Sequence, residues 1–166
     1  MREEWRTEQE AATDDAAEQW RHSRTLLDLA RDHMHRGDRV VITVAGHRAT
    51  GEIVEVARDR IALLDELSPG AALRVDVHVA DSVALTMRVV ERARAGGRSG
   101  THTATFRARL LELESAAAPV SVATAIDTEM VVGALSVGTD LVVIASAAGV
   151  ETVIALSAVA SVSPAR

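Results

Sequence analysis

After Gly37 the apolar residues of this chain stop recurring at helical spacing and begin to alternate, and further along the same change of period happens again. That switch restricts the fold more than any single motif does. Apolar residues three, four and seven apart make a stripe on a helix, whereas a period of two makes one buried face on a strand. Before the switch, Trp20, Leu27 and Met34 recur every seven residues, with Ala16, Leu26 and Ala30 beside them. Thr13 as an N-cap, Asp14 and Asp15 at the positive end of the dipole and Gly37 at the C-terminal end complete the pattern. It predicts a helix over 13–37, preceded by a flexible N-terminus over 1–12.

After the switch, "RVVITV" places Val40, Ile42 and Val44 on one face, "AGHRATG" has turn chemistry, and "EIVEVA" and "IALLD" read as the next two strands. "LSPG" is a turn, because Pro69–Gly70 suits neither a continuing strand nor a helix. In "RVDVHV", Val75, Val77 and Val79 alternate with Arg74, Asp76 and His78; in "VALTMRVV", Val83, Leu85, Met87 and Val89 form one face. The segment 38–90 therefore reads as five short strands. A Gly- and Arg-rich linker, "ERARAGGRSGTH" (91–102), follows, and the pattern restarts. "TATFRARLLELESAA" is a short helix with a Phe106, Leu110, Leu113 stripe and Thr103 or Thr105 as cap. "PVSVATA", "EMVVGALSV", "DLVVIAS", "ETVIAL" and "AVASV" are five more strands, so 103–166 repeats the first plan.

The repeat extends to individual residues. At an offset of 81, "VARDRIALL" (56–64) lies over "VGTDLVVIA" (137–145), which matches Asp59 with Asp140. Gly51 falls on Val132, one position from Gly133. The order of helix, strand, turn, Gly-containing strand, Asp and apolar strand occurs twice, which reads as a tandem duplication of one helix-plus-five-strand unit.

A helix followed by five short strands, with Gly in the second and Asp at the tip before the third, resembles the Sm-like (LSm) small barrel. "PVSV…VVGALSVGTDLVVIA…GVETVIALSAVASVSPAR" is most similar to its Hfq branch. The resemblance covers about 102–166 and, more loosely, 20–90. It implies a mainly β chain with helices (α+β): two tandem Sm-like, SH3-like five-stranded barrels, each preceded by a helix. Proteins of that family assemble edge to edge into rings and bind single-stranded RNA. Their RNA-reading positions are not kept here. The polar–aromatic pair after the tip Asp becomes Arg60–Ile61 in one half and Leu141–Val142 in the other. The basic Lys–His pair falls on Leu156 and Ser157, and the third-strand Asn of eukaryotic relatives is Leu63 or Ile144. The resemblance therefore implies a scaffold without its usual reading head.

Composition narrows the chemistry further. There is no cysteine, which excludes disulfides, thiolate metal sites and cysteine nucleophiles, and no lysine for a Schiff base or a phosphate-binding loop. An Arg- and Ala-rich, Lys-free chain suggests a high-GC bacterial genome. Trp5, Trp20 and Phe106 are the only aromatic side chains apart from histidine, so platforms for stacking bases are few. The net charge is −6 and no region is basic overall, so a general electrostatic grip on nucleic acid is not indicated. His33 and His35 are two apart on a helix and face different ways; His47, His78 and His102 are scattered. "DELSPGAAL" resembles part of the cyclic-dinucleotide motif of PilZ domains, with altered spacing and without the upstream Arg pair.

No acid, base and nucleophile converge, so no enzyme is expected. With no signal-peptide run and no apolar span, the expected setting is the cytoplasm, away from membranes. The expectation is a bacterial binding or assembly protein that takes a protein partner or self-associates, with no cofactor and no metal. The alternative is a nucleic-acid-associated regulator, RNA-binding or transcriptional, that holds phosphates through Arg58, Arg60, Arg88, Arg92, Arg94 and Arg98.

Overall fold

The computed structural model describes residues 23–68, 71–81, 83–93, 96–97 and 104–165. Helix α1 spans Leu26–Arg36. A capping box starts it: Thr25 Oγ1 accepts from the Asp28 N–H, and an Asp28 carboxylate oxygen accepts from the Thr25 N–H. The Thr25 N–H and the Thr25 hydroxyl, both donating to that carboxylate, lower the Asp28 pKa. The described helix thus begins at Thr25; the expected cap Thr13 and the Trp20 position lie outside the described residues. Gly37 ends the helix in the left-handed region, at φ 76°, which a Cβ would oppose. Ala30 and Met34 are buried, and Leu27 packs beside them.

Among the described residues ten strands follow, in two sets of five. The first comprises β1 (Arg39–Val44), β2 (His47–Val56), β3 (Arg60–Ser68), β4 (Ala71–His78) and β5 (Leu85–Glu91). Helix α2 (Phe106–Ser115) then precedes β6 (Val120–Thr124), β7 (Met130–Val137), β8 (Leu141–Ala145), β9 (Glu151–Ala155) and β10 (Val159–Pro164), with a single 3₁₀ turn at Leu156–Ala158. The strands form one antiparallel sheet in the order β5-β1-β2-β3-β4-β10-β6-β7-β8-β9. Each half therefore repeats the local order fifth, first, second, third, fourth.

This sheet corrects the expectation of two closed five-stranded barrels. The sheet is open and continuous. To close the first half, β4 would have to turn back towards β5, but its free side is taken by β10: Ser161 stands opposite Val77 and Val162 opposite Asp76. Among the described residues β5 pairs only with β1, and β9 only with β8.

The repeat is carried by backbone geometry. Gly51 lies opposite Val40 and Gly133 opposite Val120, where the second strand of each half passes from its first-strand partner to its third. A Cβ on Gly51 would stand 2.3 Å from the Leu64 carbonyl oxygen, and one on Gly133 2.2 Å from that of Ala145. Glycine at both places permits the same close backbone approach. The tips match as well. Ala57 N–H donates to Arg60 O and Gly138 N–H to Leu141 O, while the carbonyls of Asp59 and Asp140 accept from Val79 and Leu156, each at 2.8 Å.

Each half has its own apolar core, one under α1 with Val40, Ile42, Ile61 and Leu63, the other under α2 with Phe106, Leu110, Val142 and Ile144. The described part of the expected linker is not a free connector. Ala93 N–H donates to Asp38 and Gly97 N–H to His35 O, which fastens this segment to the end of α1. Among the described residues no helix is long and apolar enough to cross a membrane.

Candidate functional site at the junction of the halves

The junction between β4 and β10 holds a cluster of linked ion pairs. A short extended pattern, "RVDVH", sends Arg74, Asp76 and His78 to the face away from the first core, as alternation requires. Glu55 of β2 and Arg60 of β3 reach the same face. Arg60 bonds to Glu55 and, at 2.7 Å, to Asp76; Arg74 bonds to Glu55 at 2.6 Å and to Asp76 at 3.0 Å. Burial alone would lower the Arg74 pKa, but its bonds and charge pairing with Asp76 and Glu55 prevail and raise it.

Helix α2 covers this cluster. Arg109 Nε donates to Asp76 at 2.9 Å, and the Phe106 ring stacks on His78 with centroids 4.4 Å apart. The Phe106 N–H donates to the Asp59 carboxylate at 2.8 Å, so the tip Asp of the first half ties down the start of the second half's helix. His78 Nδ1–H completes the joint by donating to the Val159 carbonyl. Asp76 is fully buried and Arg60 is 2% exposed, yet Arg60 Nε has no hydrogen-bond partner. Such a network fixes which surfaces meet more than it adds stability.

The six arginines singled out from the sequence are thus divided. Arg60 is buried in the ionic network and is not presented to solvent. Arg58, at the tip between β2 and β3, and Arg88 and Arg92, on and just after β5, are exposed. Arg94 and Arg98 lie outside the described residues, as does His102. None of the exposed three lines the groove along the junction. His33 and His47 make structural bonds, to Asp38 at 2.8 Å and to the Asp127 carbonyl at 3.2 Å. No group of metal-ligating side chains occurs among the described residues.

A groove of about 470 Å³ also runs along the junction, lined by Val44, His47, Asp65, Val75, Met130 and Ser161 among others. Its acid is already paired, Asp65 with Arg39 at 3.3 Å.

Sequence reasoning missed the ionic junction. Its members looked like outward-facing strand residues, and the helix that covers them comes from the other half. Matching Asp59 with Asp140 pointed to the tips, but not to the helix that one of them holds. Compared with family models, curated proteins and solved structures, the chain matches none of them.

Proposed function

We propose that this protein is a non-enzymatic assembly module, which binds other protein chains through the open edges of its sheet. The observation that carries the reading is the sheet order: among the described residues β5 and β9 each have a strand on one side only. An unpaired edge offers a row of backbone donors and acceptors to another strand. Beside β9 the surface is apolar, with Val150 and Val153 exposed, and Val90 is exposed on β5. Such surface suits a protein partner better than a phosphate backbone. The resemblance to Sm-like proteins, which associate by their edges, favours the same direction.

The test is to isolate the protein from expressing cells and measure its mass by light scattering, with and without nuclease. Complexes should survive nuclease and weaken in Val153→Lys and Val90→Lys. Complexes that dissolve on nuclease treatment, and fail in variants of Arg58, Arg88 and Arg92 instead, would establish the nucleic-acid alternative.

A further inference from the structure

The outer face of the second half repeats the ionic junction of the first, with apolar residues at the places of Arg60, Asp76 and His78, and with Ser136 and Glu151 at those of Glu55 and Arg74. Arg60 stands opposite His78 and Ala62 opposite Asp76; Leu141 stands opposite Ala155 and Val143 opposite Val153. With the tips aligned, Leu141 takes the place of Arg60, Ala155 that of His78 and Val153 that of Asp76. Ser136, opposite Val143, takes the place of Glu55, which lies opposite Ala62.

The helices change in step. Both begin at a threonine N-cap, Thr25 and Thr105. Counting from the caps, Leu26 takes the place of Phe106 and Leu29 that of Arg109. The pair that meets inside the chain is Arg109 on Asp76; its counterparts are Leu29, 38% exposed, and Val153, 64% exposed. Both sides have gone from charged to apolar together, and they lie at opposite ends of the molecule.

We propose that β9 of one copy of this chain pairs with β5 of a second copy, reproducing the β4–β10 junction between molecules. The second copy's α1 then lies over the first copy's β8–β9 face, with Leu26 and Leu29 on Leu141, Val153 and Ala155. This rests on the assembly reading and names its partner. The register follows from the internal junction. Met87 and Val162 occupy equivalent places, opposite Ile42 on β1 and Val122 on β6, and both face the core beneath their helix. Since Val162 meets Asp76, Met87 of the second copy meets Val153 of the first, and Thr86 meets Ile154. Asp140, exposed at its tip, takes the Leu26 N–H of the second copy as Asp59 takes that of Phe106.

Polarity keeps the two junctions apart. Seating α1 on the first half's face would bury Asp76 against Leu29, and seating α2 on the second half's face would bury Arg109 against Val153. Either mismatch gives up the Arg109–Asp76 bond and sets a charged group against an apolar side chain. The contact is head to tail, so repetition gives a ring if the rotation closes and a filament if it does not.

The chain has no cysteine, which allows a direct test of register with the full-length double variant Met87→Cys/Val153→Cys. Oxidation should give a ladder of covalent multimers that collapses on reduction. In parallel, Leu29→Arg and Val153→Asp should each weaken self-association at least about tenfold, and the double variant should restore it by rebuilding the Arg109–Asp76 pair. Both sites are exposed in the single chain, so unchanged melting shows that the fold survives. A pure wild-type chain that stays monomeric at every concentration overturns the second-copy proposal but leaves assembly with a different protein standing. Self-association that ignores both single variants and yields no ladder overturns the register. Complexes that dissolve with nuclease overturn the assembly reading itself.

Discussion

The face formed by β2, β3 and β4 and the face formed by β7, β8 and β9 share one backbone plan and have opposite chemistry. In the first, a carboxylate at Asp76 is fully buried; at the equivalent place in the second, Val153 is 64% exposed. That inverts the ordinary preference of the two side chains for water. The difference lies in what covers them. Helix α2 lies over the first face and supplies Arg109 and Phe106, whereas the equivalent cover for the second face, α1, sits at the far end of the same sheet. A repeated unit thus presents one face covered within the chain and a second that stays exposed.

The strongest way to break this comparison is at Asp76. Replacing it with Ala leaves Arg60 buried with one carboxylate instead of two and strips Arg109 of its strand partner, at a cost of about 3–5 kcal/mol. Urea denaturation of Asp76→Ala should show that loss; a change below about 1 kcal/mol would mean the cluster is effectively solvated. Gly51→Ala and Gly133→Ala probe what the halves have in common. Each forces a Cβ against a carbonyl oxygen, and each should cost about 1–3 kcal/mol. Similar losses at the two sites confirm that the bends are equivalent; a loss at only one separates them.

Asp38 sharpens the comparison through pH, because it fastens α1 to the segment that follows β5. Burial alone would raise its pKa, but the hydrogen bonds from His33 and the Ala93 N–H and the charge of Arg36 prevail and hold it below the ordinary 3.8. A depressed folded-state pKa adds stability above the unfolded value, and this is lost as pH falls through the folded one. Wild type should therefore exceed Asp38→Asn by about 1.5 kcal/mol near neutral pH, with the gap closing in acid below pH 3.8. A gap that widens in acid would contradict the assigned pairing. The smallest effect belongs to Val153→Asp in dilute solution, where the chain is single. The side chain is exposed, so thermal stability should change by no more than about 0.5 kcal/mol.

Much of the local structure was legible. Alternation located the strands of both halves, "RVDVHV" and "EMVVGALSV" among them, because a half-buried strand leaves a period of two in the residues themselves. The Phe106, Leu110, Leu113 stripe marked α2, and the matching tip aspartates marked the repeat. The capping box that starts α1 at Thr25–Asp28 was not picked out, and the expected cap Thr13 lies outside the described residues. Closed barrels were the wrong expectation for a further reason. Five alternating strands specify which faces are buried, not which edge meets which.

The sequence by itself determined the period, the repeated order of elements and the absence of thiol and lysine chemistry, all of which follow from residue identity and spacing along one dimension. Only the tertiary structure decided that β4 meets β10 rather than closing on its own half, that Arg60 and Asp76 are interior, and that β5 and β9 are left as edges. The physical reason is range. A strand's hydrogen-bonding edges are backbone groups, nearly the same for every residue, so side-chain pattern sets the face while long-range packing chooses the neighbour. Here that choice was made by α2, whose Phe106 and Arg109 lie far along the chain from the tip and strand residues they hold.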